Sequence, residues 1–193
     1  SSVTFPTIGS ISPTVIENSQ TAVTITGTNF QSVPTVDAIN SSTGAIITAD
    51  SVAFTNATTI VATFTLSVDG TYYLRAENND GLAVRSTNAL LTVSDAPAWT
   101  TSAGSLGTVA ATGSVNFTVA ATNATSFAKT SGSFPGGVSI NASTGVISGT
   151  ESGSSTTTTY TFTIRATDAQ AQSADRQFTI TISHGATGGG QFN

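Results

Sequence analysis

The sequence predicts an all-β chain folded as two β-sandwiches in tandem, and three observations carry that expectation. Apolar and polar residues alternate along run after run, turn-forming clusters interrupt the runs at short spacing, and the composition breaks once near the middle. Alternation at period two gives a strand one buried and one wet face. Short strands punctuated in this way make a sandwich or a barrel. No convincing window places apolar residues at i, i+3, i+4 and i+7, so no helix is expected.

In the first half, "TIVATFTLSV" sets Ile60, Ala62, Phe64, Leu66 and Val68 on one face, with mostly Thr and Ser on the other. "GTYYLRAEN" then aligns Tyr72, Leu74 and Ala76, and "NALLTV" aligns Ala89, Leu91 and Val93. The break comes at "VSDAPAW", Val93–Trp99, where Pro97 cannot donate to a continuing ladder. Cutting there gives domains 1–95 and 96–183, each the size of an immunoglobulin-like sandwich, and a Gly-rich tail, 184–193. In the second half "SVNFTVAA" aligns Val115, Phe117 and Val119. "TYTFTIRATD" aligns Tyr160, Phe162, Ile164 and Ala166, and "RQFTITIS" aligns Phe178, Ile180 and Ile182. Thr on the outer faces supplies a β-branched side chain that suits a pleated surface without adding charge.

One turn recurs. "NSSTGAI" (Asn40–Ile46) and "NASTGVI" (Asn141–Ile147) share Asn-x-Ser-Thr-Gly-x-Ile. Gly takes positive φ at no steric cost, and Asn and Ser bond their own backbone. Both copies are therefore expected to be hairpin connections. A phosphate cradle would want a Lys or a helix start nearby, and neither copy has one.

Ser and Thr make up about a third of the chain, while charged residues are 8%, far below the roughly 25% of an average soluble protein. No apolar run approaches the length of a spanning helix. With no Cys there is no disulfide, thiolate metal site or Cys nucleophile, and redox logic leaves the compartment open. The chain begins "SSVTF", with neither initiator Met nor signal-peptide pattern, as a processed product or a portion of something longer would. The net charge is −5, and Arg75, Arg85, Lys129, Arg165 and Arg176 are scattered. No nucleic-acid partner is expected, and an anionic membrane would be repelled.

In 6–93, "PTIGSISP", "VTITGTNF" and "DGTYYLRAENNDGLAVRS" resemble the IPT/TIG immunoglobulin-like family, with Pro6, Ile8, Ile11 and Pro13, then Ile25–Phe30, then Tyr72–Gly81 on its pattern. Some members of that family bind DNA through basic loops; this chain has no basic loop, so that function is not carried over. In 97–183, "GSFPGGVSINASTGVISGT" and "TYTFTIRATDAQAQSADRQFTITI" resemble the putative-Ig, cadherin-like repeats of large surface and virion proteins, with Glu151 where the family often has Pro. Val138 and Ile140 replace the family's usual leucines. The order of the two modules, Thr-rich and free of Cys and Met, resembles modules in structural proteins of tailed phages, marine cyanophages in particular. That resemblance implies a virion structural protein.

Chemistry has few candidates. The only histidine, His184, falls in the tail, a poor anchor for a triad. The ten acids are Glu17, Asp37, Asp50, Asp69, Glu77, Asp80, Asp95, Glu151, Asp168 and Asp175; most sit in or beside turns, and no motif pairs two of them for hydrolysis. No catalytic residue and no cofactor are expected. A structural calcium could draw on Asp95 in the linker and Asp168 at the end of "RATD", but calcium takes six to eight oxygens and two carboxylates are few. Tyr73 and Trp99 are the candidate sugar contacts, with Phe30 a further aromatic; Trp99 also suits a plug at a core edge or between the domains. His184, Gln191, Phe192 and Asn193 are expected to contact other virion proteins or copies of the chain, with Phe192 as the apolar anchor. The resulting expectation is a non-enzymatic structural component of a phage exterior (head decoration, tail or fibre) acting through protein contacts, with weak surface adhesion and host glycans as further partners. The alternative is an adhesin or carbohydrate-binding fragment of a bacterial surface protein.

Overall fold

The structure, a computed structural model, describes residues 2–185. Among them it is all β, and the chain divides into two compact units, one up to Asp95 and one from Ala96. The first unit runs β1 (Thr7–Ser12), β2 (Val15–Ile16), β3 (Thr21–Thr28), β4 (Thr35–Asn40), β5 (Ile46–Thr48), β6 (Ser51–Asn56), β7 (Thr59–Phe64), β8 (Gly70–Glu77), β9 (Ala83–Arg85) and β10 (Leu91–Val93). One sheet has the order β1-β3-β7-β6; the other is β2-β10-β8-β4-β5, with β9 also against β8. The second unit runs β11 (Ala98–Trp99), β12 (Gly104–Ala110), β13 (Ser114–Thr118), β14 (Ala121–Thr122), β15 (Ser126–Gly132), β16 (Val138–Ile140), β17 (Val146–Thr150), β18 (Thr158–Thr167) and β19 (Ser173–Ser183). Its sheets are β12-β19-β18-β15 and β13-β17-β16, with β11 paired to β14. Pairing is antiparallel except where β2 meets β10 and β12 meets β19.

Each unit has its own core, made mostly by the predicted inward positions. Ala89, Phe117 and Tyr160 are only half-buried, and Ile147 comes from the second copy of the turn motif. Ile60, Ala62, Phe64, Tyr72, Leu74 and Leu91 close the first, and Ile147, Phe162, Ile164, Phe178, Ile180 and Ile182 the second, all at most 1% exposed. Burying a side chain of this size contributes roughly 1.5–3 kcal/mol.

Two expectations need correction. Val68 is 58% exposed, not inward. β7 ends at Phe64, and the hydroxyl of buried Tyr72 donates to the Val68 carbonyl at 2.6 Å. This is the tyrosine corner of immunoglobulin-like sandwiches, in which a Tyr at the start of a strand bonds backbone just upstream; here it accompanies an outward Val68 side chain. Phe30 is not a surface aromatic but a core residue, 3% exposed. Gly27 makes this packing feasible, since a Cβ there would lie 2.8 Å from the Phe30 ring and collide with the Thr7 carbonyl.

Charge is unevenly placed. The first unit holds seven of the ten acids and two of the five fixed cations, and the second three of each, so the net −5 belongs to the first. Within strands, charge falls on one sheet per unit. Asp37, Arg75, Glu77 and Arg85 lie on β4, β8 and β9, and Lys129, Arg165, Asp175 and Arg176 on β15, β18 and β19. The β1-β3-β7-β6 and β13-β17-β16 sheets carry none.

Candidate functional site

The repeated heptapeptides are the same turn. Asn40 Oδ1 accepts from the amides of Ser42 (2.9 Å) and Thr43 (3.0 Å), and the Gly44 amide donates to the Asn40 carbonyl (2.8 Å). Asn141 Oδ1 accepts from Ser143 (2.9 Å) and Thr144 (3.0 Å), and Gly145 donates to the Asn141 carbonyl (2.9 Å). Gly44 has φ +74° and Gly145 φ +73°, the left-handed region where a Cβ is penalised. The turns join β4 to β5 and β16 to β17 as hairpins. The Asn side-chain oxygen and the Thr hydroxyl of each copy thus accept from the turn's own amides.

The carboxylates are used in the same way. Asp168 is 6% exposed and starts the β18–β19 hairpin. Its Oδ1 accepts from the amides of Gln170 (3.0 Å) and Gln172 (2.8 Å), and its Oδ2 from Gln172 Nε2 (3.1 Å). These neighbours are N–H donors where calcium would need oxygens. Asp95, in the other unit, accepts from the Asn18 amide at 3.2 Å. Each of the two predicted carboxylates thus serves its own unit, and no three His, Asp or Glu side chains converge among the described residues.

Glu151, which stands where the resembled family often has Pro, has a structural task of its own. It is 3% exposed, and Oε2 accepts from the amides of Thr112 (2.8 Å), Gly153 (2.8 Å) and Ser154 (3.2 Å). It clamps the β12–β13 turn to the segment after β17. The Thr112 amide is the main cause holding its carboxyl below the ordinary value, with the other two amides adding and burial opposing. Asp50 is lowered likewise, first by Gln20 Nε2 (3.0 Å) and then by Thr65 Oγ1 (2.7 Å). Asp175 is lowered by a two-pronged bond from Arg165 (2.8 and 2.9 Å).

The aromatic candidates are occupied too. The Arg85 guanidinium stands 4.1 Å from the centroid of half-buried Tyr73, a cation–π contact that covers the ring. Trp99 packs against Phe178 (5.3 Å) and Phe127 (5.8 Å) and donates Nε1–H to the Ala174 carbonyl (3.1 Å). It is the plug at the edge of the second core. In the tail, His184 lies on its own unit, its amide donating to Thr157 Oγ1 (3.1 Å) and its Nδ1 3.1 Å from the Ser154 carbonyl. Gln191, Phe192 and Asn193 lie outside the described residues.

Comparison with known proteins fits this architecture. Residues 6–94 match the family model described as the IPT/TIG domain, and residues 123–183 the one described as the putative Ig domain. No curated protein matches the chain. Among solved structures, the I-band fragment I67–I69 from titin is 15% identical with a TM-score of 0.50, and the match covers 94% of this chain and 66% of that one. A protocadherin GammaB4 extracellular domain (13% identity, TM-score 0.38) and an endo-fucoidan hydrolase from glycoside hydrolase family 107 (16% identity, TM-score 0.37) match over 94% and 92% of this chain. The chain spans about a third of each of those two, at 34% and 29%. The titin likeness shows the fold, two immunoglobulin-like sandwiches, and nothing about activity.

Proposed function

We propose, from the premise that the chain is an IPT/TIG domain followed by a putative Ig domain, that it is a non-enzymatic structural component of a phage virion exterior. It acts through protein–protein contacts, with other virion proteins and copies of itself as partners. The observation that carries this reading is the use made of polar side chains. Asn40, Asn141, Glu151 and Asp168 all spend their acceptors on turn amides of their own unit. The Ser- and Thr-rich sheet faces and the termini then become the working surfaces. Low charge with small hydroxyl side chains suits dense packing in an assembly. The order of the two modules, resembling that in tailed-phage proteins, supplies the virion; without it the same surfaces describe a surface or adhesion module.

No metal or cofactor is part of the proposal, and His184, Gln191, Phe192 and Asn193 are its assembly contacts. Electron microscopy of purified particles labelled for this chain is the test. Regular label on heads, tails or fibres is the expected result. Unlabelled particles, together with a chain that binds glycans as a monomer, would transfer it to the alternative, a bacterial adhesin or carbohydrate-binding fragment.

A further inference from the structure

We infer that the outer sheet face around Tyr73 takes an acidic–apolar segment of another protein, with a carboxylate on Arg85 and an apolar side chain on Ile39 and Ile46. The inference deepens the structural reading above by naming a surface and its partner's chemistry, and it rests on that reading. The register builds the face. Tyr73 of β8 stands opposite Ile39 of β4, and Ile39 opposite Ile46 of β5. In the next row Arg85, Arg75 and Asp37 align across β9, β8 and β4. Leu74 and Ala38, between the two rows, turn into the core. On a chain rich in outward Thr and Ser this row is apolar, and Ile46 is 65% exposed.

Arg85 selects the occupant. It lies diagonal to both Tyr73 and Glu77 across the β8–β9 ladder, within reach of either for a long side chain. Glu77 is taken by Arg75 (3.0 Å), which also stands 3.6 Å from Asp37, and Asp37 accepts from Thr48 Oγ1 as well (2.7 Å). Arg85 is left with the Tyr73 ring, its guanidinium 4.1 Å from the centroid. The other four fixed cations each donate to a carboxylate or a carbonyl. Among the described residues Arg85 has no such acceptor. A guanidinium already placed over a ring loses less freedom on binding, and its planar fork meets a carboxylate with two parallel bonds. Arg and Tyr are also the residues enriched in the hot spots of protein contacts.

Charge and spacing set the rest. Asp37, Glu77, Arg75 and Arg85 sum to zero, so recognition here is by contact and not by a long-range field. The unit's net −5 opposes a run of acids, so the segment carries one. Neighbouring strands are about 4.8 Å apart, which puts Ile39 about 5 Å and Ile46 about 10 Å from Tyr73. In an extended segment laid across the strands, the side chain two positions from the carboxylate lies about 7 Å along. That position falls over the two isoleucines, so acid, spacer, apolar residue is the pattern that fits. Exposed ion pairs are weak. A lone segment therefore binds at about millimolar Kd, and an assembly holds by repeating the contact.

Chemical-shift titration of the full chain with the capped peptide Ser-Glu-Thr-Ile-Ser, up to about 10 mM, tests this. The amides of Ile39, Ile46 and Tyr73 and the side-chain N–H groups of Arg85 should shift together. The peptide Ser-Gln-Thr-Ile-Ser should bind about two- to fivefold more weakly. Arg85→Gln should abolish that difference, and Ile46→Ser should weaken both peptides alike. Both residues are exposed, so the variants keep the fold, as far-UV circular dichroism will show. Equal affinity of the two peptides, a Glu preference that survives Arg85→Gln, shifts confined to other residues, or no shift at the highest concentration would each overturn the inference. So would glucuronate moving these amides while the peptide does not, which would make the face a sugar site. Particle labelling is read separately, so failure here is distinguishable from failure of the virion reading.

Discussion

Gly44 and Gly145 occupy one position of one turn, yet substituting them should not cost the same. Gly44→Ala places a Cβ in open space, with nothing within 4 Å. Its only penalty is the left-handed backbone at φ +74°, about 1–2 kcal/mol. The loss of unfolded-chain freedom returns about 0.4–1 kcal/mol, so the net destabilisation is about 1 kcal/mol. Gly145→Ala carries that penalty and a collision. Its Cβ runs into the Val119 carbonyl oxygen, with the Phe127 ring 3.4 Å away. Retreat is blocked because the Val119 amide donates to the Gly145 carbonyl (3.0 Å). Overpacking of this kind adds about 1–3 kcal/mol, for a total of roughly 2–4 kcal/mol.

Trp99, the only tryptophan, makes the difference measurable, since its ring packs in the second core. Urea unfolding followed by Trp fluorescence reads that unit, and far-UV circular dichroism reads both. With a slope of about 1 kcal/mol per M, Gly145→Ala should lower the Trp-reported midpoint by about 2–4 M. Gly44→Ala should leave that midpoint in place and move only the dichroism of the first unit, by about 1 M. Equal effects of the two variants, or a Trp midpoint indifferent to Gly145→Ala, would refute the claim that tertiary contacts, and not the turn alone, set the cost.

Two further outcomes are expected. The Glu151 carboxyl titrates lower folded than its ordinary 4.5, so its stabilisation is complete above that value and is lost as pH falls through the folded pKa. In Glu151→Gln the Trp-reported midpoint should start lower at about pH 7 and fall less steeply toward about pH 3. Part of the slope remains, because the lowered Asp175 acts in the same direction in the same unit; parallel profiles for the two proteins would refute the clamp. Asp168→Ala should cost the second unit about 1–3 kcal/mol by stranding donors that bond it now, and calcium should raise neither protein's midpoint. A calcium-dependent rise lost in the variant would restore the metal reading.

How far the sequence could be read depends on the range of the interaction. Alternation located the strands because Thr, Val, Ile and Phe record a pleat residue by residue. The Asn-x-Ser-Thr-Gly turn was legible because the bonds that shape it, from the Asn side chain and the Gly amide, close within five positions. Val68 was misplaced because counting by twos assumes that the strand continues, while β7 ends at Phe64 and the Val68 backbone is held by the tyrosine corner at the start of β8. Phe30 was read as a further exposed aromatic beside the candidate sugar contacts; the signal of its burial was Gly27, a glycine inside a strand, which marks close approach by another group. Glu151 was beyond reach, since its main partner is the Thr112 amide 39 positions away. Tyr73 was correctly put on the outer face, but its cover depends on how β9 is placed against β8.

The hairpin starts show why these polar residues are chosen, and why they leave no site behind. Asn78 and Asp168 hold equivalent places. Each amide donates to the residue four positions on (Leu82 at 2.9 Å, Gln172 at 3.0 Å), and each carbonyl accepts from the residue three on (Gly81 at 2.9 Å, Ala171 at 3.2 Å). Their side chains face different chemistry. Asn78 must do two things, accepting from the Gln31 amide (3.0 Å) and donating to the Asn29 carbonyl (2.8 Å). The Asn amide carries both an acceptor and donors, which a carboxylate of the same shape does not. It thereby fixes the 29–31 segment that lays Phe30 into the core. Asp168 accepts from the Gln170 and Gln172 amides and from Gln172 Nε2, so a carboxylate, which only accepts, serves there and bonds more strongly. The identity of each residue is thus accounted for by neighbours in its own unit. A carboxylate in this chain is explained by the turn that surrounds it before any ligand is needed.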